Sequence, residues 1–407
     1  ISGSNNVNVQ LVVNAINNLI GANGSTINTA ISNNTRQAID SEFATLLADL
    51  EGGRVGGLII YGANPVYNYV DGERVKKAIQ KAKLTVSLSD RMDETTEVCK
   101  YIVPSHHYLE SWGDAEPRTG HISMLQPTIH PLFKTRSYVE SLLKWSGNAV
   151  THDAYVRQYW TGKLGSEENY LKALQDGVVE AGASNTSMPL TTPASTSGGS
   201  FNGGGVADAA TKAATARPGG NLELVLYQNI AMTEGNHANN PWLLELPDPI
   251  TRACWDNYIM ISPELAREEN VLDIDISRER EAIKYEFFPD KPVMRVKAGN
   301  KEITLPVLIV PGMQKNTIAI AVGYGRSAKL GRAVVGVGKN VFNWATVTDN
   351  TIDWTVPNVT IEKTAEVYPL ASTQPHGSYE GRHEVVKELT LKDFAAHPSA
   401  IRDERDQ

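Results

Sequence analysis

The sequence predicts an α/β protein in which an open parallel sheet flanked by helices is followed by a compact β-barrel domain. Three observations carry that expectation. Residues 56–65, GGLIIYGANP, set a short apolar run directly before a glycine–proline turn. That run opens a β-α-β-α-β succession ending at Pro104, and such units build open parallel sheets with ligands beyond the carboxyl ends of their strands. Past a stretch rich in Ala, Ser, Thr and Gly at residues 182–220, helical spacing gives way to short strand-like runs.

Taken in order, Val9, Val12, Ile16 and Leu19 recur at helical spacing, with Gly21 as the stop. Residues 23–35 are rich in Asn, Ser and Thr and read as a loop. Phe43, Leu46, Leu47 and Leu50 mark a second helix, closed by Gly52-Gly53. Leu58, Ile59, Ile60 and Tyr61 show no polar alternation, which suits a parallel strand covered on both faces. A tight turn at residues 62–65 ends it. Val75, Ile79 and Ala82 then share a helix face among Lys and Glu residues. Leu84, Val86 and Leu88 form the second strand, ending at Ser89-Asp90. Residues 93–97, DETTE, start a short helix with acids at its positive end. Tyr101, Ile102 and Val103 form the third strand. Residues 106–131 read as a long irregular segment. Ser137 and Glu140 form a capping box before Leu142, Leu143 and Trp145. Helices follow around residues 155–160 and 170–179.

The stretch 182–220 lacks large apolar side chains and is expected to be a flexible insertion or linker at the surface. It separates a first domain, 1–181, from a second, 221–407. Strand candidates in the second are residues 222–227, 258–261, 293–296, 303–310 and 317–322. Ala298-Gly299-Asn300 supplies a hairpin turn, and Ser262-Pro263 opens a brief helix. Short strands around one small helix are the basis of the barrel expectation.

The chain of 407 residues, 41% hydrophobic and 21% charged, has the composition of an ordinary globular protein. No apolar stretch reaches the length of a membrane span, so membrane association is expected to run through partners. A formal net charge of −8 argues against nucleic acid as the main partner. Cys99 and Cys254 are the only cysteines, too few for an iron–sulfur cluster or a structural zinc site, and read as small apolar residues. The start at Ile1, with neither Met nor signal peptide, is that expected of an internal piece or a processed product.

Gly62, Ala63, Asn64 and Pro65, with Asp90 after the next strand, have the pattern of a nucleotide crevice: glycine admits phosphate to the backbone, and the acid can meet guanine or ribose. A purely structural turn has the same pattern. His106-His107 sit at the correct end of the sheet for a site but lack metal-ligand spacing. Glu110, Asp114 and Glu116 could be paired acids or a solvated loop. Residues 323–326, GYGR, follow a strand without a helix behind them and read as a turn. Residues 239–249, NNPWLLELPDP, form a proline-stiffened surface segment with Trp242 as its anchor.

At these residues a resemblance emerges. GLIIYGANPVYN, SLSDRMDETTEVCKYIVPSHHYLESWGD and GHISMLQPTIHPLFKTRS resemble, in order and spacing, the third domain of the molybdopterin oxidoreductase (dimethyl-sulfoxide-reductase) superfamily. NHANNPWLLELPDPITRACWDN and HGSYEGRHEVVKELTL resemble its fourth, barrel-like domain. Within the superfamily, PWLLELPDPIT and the GYGR turn resemble the molybdopterin-like iron–sulfur subunit (B subunit) of bacterial alternative complex III, a quinol-oxidising respiratory complex. The resemblance covers nearly the whole chain outside the insertion. It implies a structural and docking role, with no catalytic residue, no metal site and no molybdenum cofactor in this chain. Gly62, Ala63, Asn64, Pro65 and Asp90 would then be a vestige of the crevice in which cofactor-bearing relatives hold a pterin-guanine dinucleotide. The implied partners are a ferredoxin-like iron–sulfur domain, a multihaem cytochrome c subunit and integral-membrane quinol-binding subunits. Those neighbours would carry the iron–sulfur clusters and haems, at the periplasmic face of the inner membrane. Trp112 and Trp242 are the candidate interface residues. The alternative is a catalytic molybdenum bis-pterin subunit of the polysulfide- or thiosulfate-reductase type.

Overall fold

The computed structural model describes residues 1–28, 31–35, 38–180, 201–215, 222–271, 290–373 and 387–405. Helix α1 (Val7–Leu19) is capped by Asn6, whose side chain accepts from the Asn8 and Val9 amides. Helix α2 (Asp40–Glu51) precedes β1 (Gly57–Ile60). After β1 comes the short helix α3 (Pro65–Asn68), then α4 (Gly72–Ile79) and β2 (Leu84–Ser87). A 3₁₀ turn at Thr96–Val98 leads to β3 (Tyr101–Ile102). The three strands are parallel with β2 in the centre, as the apolar periodicity predicts.

Helices α2 and α4 pack on this sheet because Leu47, Leu50, Val75 and Ile79 meet Leu58 and Ile60 in one cluster. Alternation then sends Ile59 to the opposite face, where it is 48% exposed. Tyr101 and Ile102 are exposed as well. The unbroken apolar run therefore does not mean burial on both faces within this chain.

The span 106–131 is more regular than its composition implies. Strands β4 (Gly113–Arg118) and β5 (His121–Leu125) form an antiparallel hairpin turned at Thr119-Gly120, and β6 (Val178–Glu180) pairs with β5. Glycine and charge dilute the β4 pattern, so only pairing with β5 reveals it. Helix α5 (Tyr138–Trp145) starts at Ser137, whose hydroxyl accepts from the Glu140 amide. Helices α6 (His152–Leu164) and α7 (Glu167–Asp176) cover the hairpin through Val156, Trp160, Leu164 and Tyr170, packed on Ile122 and Met124.

Of the composition-defined insertion, residues 182–200 and 216–220 lie outside the described residues. Between them α8 (Val206–Thr215) packs against α1 with Ala209 buried, so Ala-rich composition supports a helix where a wholly irregular linker was expected.

The second sheet comprises β7 (Glu223–Tyr227), β8 (Ile259–Ile261), β9 (Asp290–Ala298), β10 (Lys301–Ile309), β11 (Thr317–Ala321), β14 (Thr355–Val356) and β15 (Thr360–Pro369). The pair β12 (Thr346–Thr348) and β13 (Thr351–Asp353) stands apart from it. Helices α9 (Pro241–Glu245) and α10 (Pro263–Glu268) lie between strands, the latter capped by Ser262. Two short helices, α11 (Leu391–Ala396) and α12 (Ala400–Arg405), end the described chain. The sheet order is β14-β7-β11-β8-β10-β9-β15. Both β8–β10 and β7–β11 are parallel while the other pairs are antiparallel. Its ends, β14 and β15, do not pair with each other, so no closed barrel is found among the described residues.

The two sheets are joined through α3. Tyr67 is buried in the core of the second sheet, 5.3 Å from the Phe342 ring and edge-on to it. Near the N-terminus, Asn5 donates to the Ile352 carbonyl and Asp40 accepts from the Ile352 amide.

Replacing Ile79, fully buried between α4 and the parallel sheet, with Ala is expected to lower unfolding free energy by about 2–5 kcal/mol. Leu142→Ala, on an exposed face of α5, should cost under about 1 kcal/mol. Urea titration of both variants checks the contrast, and equal losses would refute this packing.

Candidate functional site

At the carboxyl ends of the parallel strands, Gly62 adopts a φ of +65°, a left-handed turn that favours glycine. Gly62, Ala63 and Asn64 border a crevice of about 260 Å³ together with Ser89, Asp90 and His107. The sequence-predicted site residues thus come together, except that Pro65 stands behind the crevice as the first residue of α3.

The polar groups of this crevice are largely engaged by the protein itself. Asn64 is buried, and its Oδ1 accepts from the Thr95 amide at 3.1 Å and hydroxyl at 2.8 Å. Its Nδ2 donates to Glu94 Oε2 at 2.8 Å. Arg91 lies 3.4 Å from Asp90, donates to the Asn236 carbonyl and approaches His237 Nδ1 at 2.9 Å. Residues 236–237 close the crevice from the second sheet's side.

Directly behind Asn64 lies an ion pair that sequence reasoning did not join. Arg326 donates from Nη2 to Glu94 Oε2 at 2.8 Å and from Nε to Oε1 at 3.0 Å, a bidentate pairing. The side chains are 2% and 15% exposed. Arg326 also donates to the Gly235 carbonyl, and its guanidinium lies 4.1 Å over the Tyr67 ring. Ser327 donates its amide to Glu94 at 2.8 Å and its hydroxyl to Glu97 at 2.7 Å, while Lys329 pairs with Glu97 at 3.1 Å. Tyr67 donates its hydroxyl to the Tyr324 carbonyl at 2.6 Å. Burial by itself would raise the Glu94 pKa, but the hydrogen bonds from Arg326 and Ser327 and the nearby guanidinium outweigh it and hold the carboxyl at about 2.

The GYGR turn reaches this position because its glycines permit close approach. Gly323 and Gly325 have φ of +99° and +65°. A Cβ at Gly325 would fall 2.1 Å from the Asn340 amide nitrogen, and one at Gly323 would fall 2.9 Å from the Thr233 carbonyl oxygen. Both partners had sequence signals, the glycine-rich turn and the acidic DETTE run, but they stand 232 residues apart.

The remaining candidates have structural duties. His106 Nδ1 meets the Thr135 hydroxyl at 2.7 Å. His107 caps the 3₁₀ turn Tyr108–Glu110 in a capping box with Glu110. Asp114 accepts from the Trp160 indole at 2.8 Å, and Glu116 accepts from the Gly120 amide. Among the described residues no group of His, Cys, Asp and Glu is arranged to hold a metal ion. Cys99 and Cys254 are both free thiols, and burial raises the pKa of each. Trp112 is half-buried against the α6–α7 cluster. Trp242 is 82% exposed, so it does not anchor its own segment; Leu244, buried in α9, does.

Neither a family model nor a curated protein matches the sequence. Among solved structures, acetylene hydratase from Pelobacter acetylenicus superposes with a TM-score of 0.52 at 11% identity, over 79% of this chain and 46% of that one. The chain therefore spans about half the length of this structural neighbour. At this identity the likeness is one of fold alone.

Because Glu94 titrates at about 2 in the folded protein and at 4.5 ordinarily, its contribution is fully present above pH 4.5 and is lost as pH falls toward 2. The acid arm of a stability-versus-pH curve for Glu94→Gln should accordingly be flatter than the parent's by about 3 kcal/mol. Arg326→Met leaves a buried carboxylate unpaired and is expected to cost about 3 kcal/mol or more at neutral pH. Overlapping curves for Glu94→Gln and the parent would rule out the ion pair as described.

Proposed function

We propose that the chain is a molybdopterin-oxidoreductase-like module with a structural and docking role in a quinol-oxidising respiratory complex of the alternative complex III kind. It holds and orients redox-active neighbours and carries no molybdenum cofactor itself. The partners of this reading are a ferredoxin-like iron–sulfur domain, a multihaem cytochrome c subunit and integral-membrane quinol-binding subunits at the periplasmic face. Those neighbours hold the iron–sulfur clusters and haems, and electrons bypass this chain.

The observation that carries the reading is the inward use of the crevice's polar groups. Asn64 is committed to Glu94 and Thr95, and Arg91 to Asn236 and His237. A pterin-guanine dinucleotide would need those donors and acceptors for itself. The crevice of about 260 Å³ also falls below the ~300–1,000 Å³ common for small-molecule sites. These engaged groups and the small volume support a crevice without the dinucleotide, and no catalytic step is assigned through it. Exposed Trp242, on a proline-fixed segment, supports docking, since Trp is enriched among the residues that dominate interfaces.

The test is extraction of the intact, denatured complex, followed by assay for guanine nucleotide, oxidised pterin, molybdenum and tungsten. The expected result is none of them in stoichiometric amount, and stoichiometric recovery overturns the cofactor-free reading. Trp242→Ala should leave the chain's own stability within about 0.5 kcal/mol yet weaken its retention in the complex. Midpoint potentials in whatever complex still assembles should be unchanged. Unimpaired assembly with shifted potentials would speak against a docking role.

A further inference from the structure

Beside the crevice, and separate from the ion pair behind it, lies a larger cleft of about 630 Å³ between β4, α5 and α6. Its volume is that of a small-molecule site. Helix α6 contributes Tyr155 and Tyr159, and the loop before β4 contributes Trp112. Tyr61 and Tyr138 stack at 3.9 Å to form another aromatic wall. Carboxylates of Asp114 and Glu116 stand among these rings, the former fixed by the Trp160 indole. Lys163 places its ammonium 5.6 Å over the Tyr159 ring, so one ring face of the wall already engages a cation.

His152, at the start of α6, lines the same cleft and is only 8% exposed, yet its Nδ1 has no hydrogen-bond partner. A buried nitrogen left this way costs about 1–3 kcal/mol. Burial lowers the pKa of this imidazole, chiefly by desolvation, so at neutral pH the ring is uncharged and adds no positive charge to the cleft.

We propose that this cleft binds a small ring-bearing organic ammonium: its ring stacks on the tyrosines and Trp112, and its charge faces Asp114, Glu116 and the aromatic faces. Aromatic walls with carboxylates favour cations and disfavour anions, and the net charge of −8 acts in the same direction at long range.

The test uses the purified chain and four probes that share one phenyl ring, benzylamine, benzyltrimethylammonium, benzyl alcohol and benzoate, followed by calorimetry and by ligand-observed NMR. Benzylamine is expected to bind about tenfold tighter than benzyl alcohol, a difference of about 1.4 kcal/mol, with benzoate weakest. Tyr155→Ala, at an exposed ring, should weaken both ammonium probes. Lys163→Ala removes a competing cation and should tighten both. Equal binding of benzylamine and benzyl alcohol, preference for benzoate, or weaker ammonium binding by Lys163→Ala would each overturn the proposal.

Discussion

The bidentate pairing of Arg326 with Glu94 is the contact on which the arrangement of the two sheets depends. Two charges taken this far out of water are tolerable only if every remaining donor and acceptor is met. Gly235 meets the guanidinium, Ser327 and Asn64 meet the carboxylate, and Tyr67 supplies a ring face beneath the arginine. The pair and these partners together come from four separate local structures. The pairing therefore constrains the α3 turn, the DETTE run, the 235 loop and the GYGR turn at once. Tyr67 extends the constraint into the apolar core of the second sheet, since its ring packs on Phe342 while its hydroxyl is tied to the Tyr324 carbonyl.

That constraint shapes what the neighbouring crevice can do. A turn of the Gly62–Asn64 type after a parallel strand ordinarily leaves its polar groups for a ligand beyond the sheet. Here Asn64 faces back into the protein, and the acid after the second strand is shadowed by Arg91, itself tied to residues 236–237. These contacts make the crevice wall a joint between the parallel sheet and the second sheet. On the second sheet's side of this joint, Trp242 projects from a proline-stiffened helix turn whose own footing is Leu244.

Much of the fold was legible in the residues. Helical spacing in Val75 and Ile79 and the apolar run at Leu58 and Ile60 identified the parallel unit because local periodicity and burial agree there. The hairpin at Gly299 and the Ser262 cap were legible for the same reason, being decided by residues within one turn of each other. The β4–β5 hairpin was not, since Gly113, Asp114, Glu116 and Arg118 carry no apolar alternation and become a strand only through their partner. The barrel expectation followed from counting strands, whereas closure depends on which edges meet, and β14 and β15 lie at opposite ends of the sheet.

For the candidate site, the sequence by itself determined the parts: a glycine–proline turn and an acid after parallel strands, an acidic run at 93–97, and a glycine-rich turn ending in arginine. Those are set by backbone freedom and charge over a few residues. Only the tertiary structure decided that Glu94 and Arg326 meet, that Asn64 serves them, and that His152 lies buried, its Nδ1 unpartnered, beside an aromatic cleft. Pairing across 232 residues and the desolvation that gives such a pair its weight are properties of the packed interior, and no local pattern of residues encodes them.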